Sequence, residues 1–125
     1  MPGTLFFDGG CGMCTRSEEL LLRLNRTGEL QVQPLQCPGA AEQLGIPPSQ
    51  LLESVRWLDS SGAVYSGAEA ANAALSTAIG SKFPLLLYRV PGVRFIEDAI
   101  YRWVAAHRYR FPGTTPYCES HPAAC

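Results

Sequence analysis

The stretch Thr4-Leu-Phe-Phe-Asp8-Gly-Gly-Cys11-Gly-Met-Cys14 decides how the chain is read. Residues 4–8 are short, apolar and aromatic, and Gly9-Gly10 end them, which is the pattern of a buried strand. Cys11 then falls at the very start of the next helix. A helix N-terminus presents unpaired N–H groups and a partial positive charge, and both favour a thiolate over a thiol. Cys14, one turn further in, lies on the same side and within disulfide reach of Cys11. The spacing therefore predicts a redox pair, with an exposed attacking Cys11 and a more buried resolving Cys14.

The neighbours of the pair fit that chemistry. Gly9, Gly10 and Gly12 give the backbone freedom and let another chain approach the sulfur closely. Met13 is a soft apolar contact for such a chain. Asp8 can accept or return the proton of Cys14 during exchange, or can simply cap the turn, a position that Asp favours.

Outward from the motif, the remaining elements follow by pattern. Residues 15–27 read as a helix with Leu20, Leu21, Leu22 and Leu24 as its apolar stripe, acids at its start, arginines near its end and Gly28 as a stop. Residues 29–35 alternate as a strand, and Pro34 suits its edge or end. A short broken helix covers 39–45 and 49–53. Residues 54–59 and 63–67 form a hairpin around Ser60-Ser61-Gly62. Residues 68–79 are an Ala-rich helix ending at Gly80. The last helix starts after Pro91-Gly92 and ends before Pro112-Gly113, with Val93, Ile96, Ile100, Val104 and His107 as its inner stripe. Trp57 and Trp103 read as core residues.

A β-α-β unit followed by an antiparallel hairpin and C-terminal helices is the element string of a thioredoxin-like α/β domain. Residues 1–110 form that single domain, and residues 111–125, with three prolines and no periodicity, read as a loosely structured tail. Parallel pairing places the C-terminal ends of the first two strands on one sheet edge. Cys37 lies just beyond the second of these, which leaves it either a third thiol of the site or a half-buried free cysteine.

Composition narrows the function class. The chain has 125 residues, 46% hydrophobic and 17% charged, as in a folded soluble domain. Residues 83–90 are the longest apolar run outside the expected helices and are too short to span a bilayer. The N-terminus lacks the basic start and long apolar core of a secretory signal, so a cytoplasmic location is expected. In that compartment five cysteines point to redox or metal chemistry, not to structural disulfides. The net charge of −1 divides into −4 over residues 1–81, +4 over residues 82–110 and −1 from Glu119. That bias is too mild to argue for nucleic acid. Neither a nucleic-acid nor a membrane partner is expected, and no cofactor.

Phe7-Asp8-Gly9-Gly10-Cys11-Gly12-Met13-Cys14 resembles the signature of the DCC family of thiol-disulfide oxidoreductases, named for its Asp-Cys-Cys motif. Residues 64–70, VYSGAEA, resemble the family's exit from the hairpin into a helix. Residues 101–113, YRWVAAHRYRFPG, with Cys118 beyond them, resemble its C-terminal segment. The resemblance implies a thioredoxin-like fold, dithiol/disulfide exchange with a protein or low-molecular-weight thiol or disulfide, and Asp8, Cys11 and Cys14 as the functional trio. Better-known thioredoxin relatives place a cis-proline just before the hairpin strand; here Glu53, Ser54 and Val55 occupy that place.

Two rival readings use the same residues. Cys11, Cys14, Cys118 and His121 have the pairwise spacing of a Cys₃His zinc set, with Cys125 spare, although about a hundred residues separate the pairs. Alternatively the pair is a redox-sensing latch in a binding module whose basic C-terminal helix meets a partner. Cys118 and Cys125 could bond each other, relay to Cys11, or stay unengaged.

Overall fold

Successive side chains of a strand point to opposite faces, and β1 (Gly3–Phe7) uses both faces for core. In the computed structural model, which describes residues 2–107 and 115–125, Leu5 belongs to one buried cluster and Phe6 to another. The first cluster joins Leu5, Leu30 and Trp57 to the alanines of helix α3 (Gly67–Ile79). Ala70, Ala73, Ala74 and Ala78 are fully buried, and their small side chains let α3 lie close against the sheet. The second cluster sets Phe6 and Leu35 against Ala40 and Leu44 of the short helix α2 (Ala40–Leu44). The result is a sheet with helices on both faces.

β1 pairs in parallel with β2 (Leu30–Pro34) across helix α1 (Gly12–Arg23). On its other side β1 pairs antiparallel with β3 (Arg56–Asp59), which forms the hairpin with β4 (Val64–Ser66). The sheet order is β2-β1-β3-β4. This is the expected α/β thioredoxin-like arrangement, with the β-α-β unit, the hairpin and C-terminal helices in that order. Register puts Leu5 opposite Trp57. A methyl on Gly3 would lie 2.4 Å from the Trp57 ring, so close packing at this end of β1 requires glycine.

The C-terminal helices depart from expectation in three ways. Residues 83–88, read as an apolar run outside the helices, form helix α4 (Phe83–Tyr88), with Pro84 in its first turn where proline is tolerated. Helix α5 (Pro91–Ala106) does not bury its apolar stripe: Ile96 and Ile100 are exposed, and Trp103, expected in the core, is 58% exposed. The inward face of α5 docks through polar groups instead. Glu97 accepts from Asn72 (3.0 Å), Asp98 accepts from the Tyr88 hydroxyl (2.7 Å), and the Tyr101 hydroxyl accepts from the Val55 N–H (3.0 Å). Those residues, adjacent Glu97 and Asp98 with Tyr101 one turn on, rotate the helix so that Phe95, Ile96, Ile100 and Trp103 face outward.

The third departure is the tail. Residues 115–125, expected to be loosely structured, carry the one-turn helix α6 (Tyr117–Ser120) and a 3₁₀ turn at Pro122–Ala124. Pro116 and Pro122 sit at the starts of these turns, where their fixed φ assists helical geometry. A Cys118–Cys125 disulfide closes the segment. The expected end of the last helix, Arg108, Tyr109 and Arg110, and the boundary between domain and tail lie outside the described residues. Among the described residues no helix is long and apolar enough to cross a membrane.

The two tryptophans give a direct check. Trp57, 1% exposed at the centre of the sheet, should cost about 3–5 kcal/mol when replaced by alanine. Trp103→Ala should cost less than about 1 kcal/mol. Urea unfolding of the two variants compares them, and similar losses would contradict the outward face of α5.

Candidate active site

The site is built where β1 ends. Its last turn is held by a side chain from the neighbouring strand's end: Gln36, two residues past β2. The Gln36 amide donates to Asp8 Oδ1 (2.7 Å) and accepts from the Gly9 N–H (2.9 Å). Asp8 Oδ1 also accepts from the Gly10 N–H (2.9 Å), and the Asp8 carbonyl accepts from the Cys11 N–H (3.2 Å). Asp8 is buried, so each of these bonds is shielded from competing water.

This turn delivers Cys11 to the N-cap of α1. Cys11 has extended backbone angles, and its Sγ accepts from the Cys14 N–H at 3.3 Å. The sulfur thus takes the part a Ser or Asp oxygen plays in capping. The Cys11 carbonyl accepts from both the Thr15 N–H and the Thr15 hydroxyl, each at 3.0 Å. Neither Cys11 nor Cys14 is in a disulfide. Their expected exposures are reversed, however: Cys11 has no accessible surface, whereas Cys14 is half-buried.

The tail docks on the turn and helix start that hold Cys11. The Cys118 N–H donates to the Gly9 carbonyl (2.9 Å), and the Tyr117 N–H donates to Thr15 Oγ1 (3.0 Å). Consecutive tail residues therefore hold the chain on both sides of Cys11. The Tyr117 ring meets Phe7 edge-on at 5.2 Å and stacks on His121 at 4.3 Å. Sequence periodicity gives no sign of this docking, because it is made by two backbone N–H groups and one ring.

A cavity of about 190 Å³ lies on the other side of the pair, lined by Cys14, Met13, Glu18, Phe7, Val55 and Tyr101 among others. A wider groove of about 650 Å³, around Tyr88, Asp98 and Arg102, contains no cysteine. Val55 is the residue just before β3, the last of the three that precede the hairpin strand. Its N–H is bonded to the Tyr101 hydroxyl and its carbonyl to the Gly67 N–H, so both backbone groups are already used.

Glu18 is the residue the sequence reading missed. The sequence marks it only as an acid near a helix start, yet it is 4% exposed. The signal was its spacing: four residues after Cys14 and seven after Cys11, it shares their helical face. Burial pushes its carboxyl above the ordinary carboxylate value, Glu19 adds to the rise, and His121 of the tail opposes it.

The remaining cysteines fall differently. Cys37 is a half-buried free thiol whose Sγ lies 3.6 Å from the Pro38 carbonyl, and it is Gln36 that reaches the turn. The zinc set requires Cys118 as a thiolate, but its sulfur is bonded to Cys125. Among the described residues no group of three or more Cys, His, Asp or Glu is placed to hold a metal.

Comparison with known families agrees with this geometry. The family model for DCC1-like thiol-disulfide oxidoreductase matches residues 5–114. No curated protein and no solved structure matches the chain.

The buried Glu18 carboxyl sets a pH dependence. An acid that holds its proton more tightly when folded stabilises the fold fully below its unfolded value, near 4.5. That contribution is lost as pH rises through the raised folded value. Glu18→Gln should therefore remove this decline and be the more stable form at pH 7. Urea midpoints of both proteins between pH 4 and pH 8 test it. Parallel curves would show that Glu18 ionises as if in water.

Proposed function

Since the chain belongs to the DCC1-like thiol-disulfide oxidoreductase family, we propose that it exchanges disulfides through Cys11 and Cys14, with Cys11 attacking and Cys14 resolving. The observation that carries this reading is the bond from the Cys14 N–H to Cys11 Sγ at the N-cap of α1. It aims a donor at the sulfur where negative charge must reside for attack.

In the reducing direction Cys11 Sγ, as the thiolate, attacks one sulfur of a client disulfide. A bond forms between Cys11 and that sulfur, the client's S–S bond breaks, and the second client sulfur leaves as a thiolate. Cys14 then loses its proton and attacks Cys11 Sγ. The client is released with both sulfurs reduced, and Cys11–Cys14 becomes the disulfide. The oxidising direction is the same sequence reversed.

Two buried carboxyls flank the pair. Asp8 assists proton transfer while its Oδ1 holds the turn. Glu18 lines the cavity that Cys14 also lines, and its raised proton affinity suits an acid that must hold a proton and give it back. Clients are proteins or small molecules carrying a thiol or disulfide. Because Cys11 has no accessible surface, an external client reaches it only when the tail moves off Gly9 and Thr15.

Cys11→Ser should lower turnover of a model disulfide by roughly a thousandfold or more, as removal of a nucleophile does. Cys14→Ser should keep the first attack and accumulate a mixed disulfide on Cys11, visible as a mass increase equal to the client. Full turnover by Cys11→Ser would sink the assignment of the attacking sulfur.

A further inference from the structure

The tail disulfide is docked beside the turn that holds Cys11. Its Cys118 N–H is bonded to the Gly9 carbonyl, two residues before Cys11, and the adjacent Tyr117 N–H is bonded to Thr15 Oγ1, four residues after it. Cys118 Sγ itself lies against the turn: a methyl built on Gly9 would be 2.6 Å away, and Gln36 Oε1 is 3.9 Å away. Gln36 thus contacts Asp8, Gly9 and Cys118 together. The structure holds the pair as two thiols and the tail as a disulfide, which are the two reactants of an exchange.

From this arrangement we infer that Cys118–Cys125 is a second redox centre, an internal disulfide that exchanges with Cys11–Cys14. The inference rests on the proposed exchange activity of that pair. Cys11, as the thiolate, attacks Cys118 Sγ; a Cys11–Cys118 bond forms, the Cys118–Cys125 bond breaks, and Cys125 leaves as a thiolate and takes up a proton. Cys14 gives up its proton and attacks Cys11 Sγ, releasing the Cys118 thiolate. Two electrons and one proton pass from Cys11 and Cys14 to Cys118 and Cys125, the thiolate charge moving from Cys11 to Cys118, with no other reactant. Cys118 is the sulfur attacked because it, and not Cys125, is fixed to the turn by its own backbone.

Such a centre explains why the tail is both bonded and docked. Oxidised, it lies over Cys11 and keeps other disulfides away. Reduced, the loop closed by Cys118 and Cys125, seven positions apart, is open, and the segment loses the constraint that holds its two turns together. The tail then carries reducing equivalents out to a client or lets a client reach Cys11. Glycine at position 9 has a physical reason in this scheme, since any Cβ there would push Cys118 away.

The test uses the full chain with Cys14, Cys37 and Cys125 each changed to Ser, which leaves Cys11 and Cys118 as the only thiols. The protein is equilibrated with a glutathione redox buffer, quenched in acid, alkylated and mapped by mass spectrometry. A docked thiol has an effective concentration of millimolar order or more. At about 0.1 mM glutathione the internal Cys11–Cys118 bond should therefore exceed the Cys11–glutathione adduct by roughly tenfold. An adduct on Cys11 with no internal bond overturns the relay and leaves the exchange activity of Cys11 standing. Neither product overturns both, since Cys11 is then unreactive. A second measurement follows the unaltered chain, starting as the Cys11/Cys14 dithiol with the tail oxidised. The disulfide should migrate to Cys11–Cys14 at a rate independent of protein concentration, and a rate that rises in proportion to concentration contradicts an internal step.

Discussion

One side-chain amide holds the site together. Gln36 reaches from the end of β2 to the end of β1, donating to the Asp8 carboxylate and accepting from the Gly9 N–H. Without that clamp the two-glycine turn would have many conformations, and Cys11 would not be fixed at the N-cap of α1. The clamp in turn depends on the parallel pairing of β1 with β2, which carries on past the strands through the bond from the Leu35 N–H to the Phe7 carbonyl (2.7 Å). Sheet topology, turn and sulfur position form one chain of dependence. It runs from the hydrophobic clusters on either face of β1 to a single N–H aimed at Cys11 Sγ.

The surroundings of the pair are asymmetric. On one side Cys11 is buried, and the tail is bonded to Gly9 before it and Thr15 after it. On the other side Cys14 shares a mostly apolar cavity with Met13, Val55 and Glu18. In the proposed exchange the attacking thiol is the hidden one and access is gained by motion of the tail, while the resolving thiol shares its cavity with a carboxyl whose proton affinity burial raises above that of an ordinary glutamate. Val55 spends both backbone groups inside the protein, so a client's backbone has to find its partners elsewhere, for example on the turn that the tail now occupies.

Much of this was legible in the sequence. Residues 4–14 announce strand, turn, N-cap and pair, because each relies on local rules: an apolar run, two glycines, a three-residue spacing. Alternation and turn residues located the other strands. The tail and α5 were not legible, because tertiary hydrogen bonds decide them. Ile96 and Ile100 have helical spacing, but Glu97, Asp98 and Tyr101 win the inward face through bonds to Asn72, Tyr88 and Val55. Glu18 and Gln36 look like ordinary surface residues until the fold places one beside Cys14 and the other across the turn. The three prolines of the tail argued for loop, whereas two of them open short helical turns pinned by a disulfide.

The central claim is that Cys11 and Cys14 form a reversible redox couple, not a pair of inert thiols in a turn. Its most direct test is the reduction potential of that couple, read by peptide mapping of the 11–14 disulfide across a series of glutathione redox buffers. The account predicts a single two-electron transition between about −270 and −120 mV, the span of dithiol oxidoreductases. A disulfide that resists reduction below about −300 mV, as structural disulfides do, or a pair that never forms one, would contradict it.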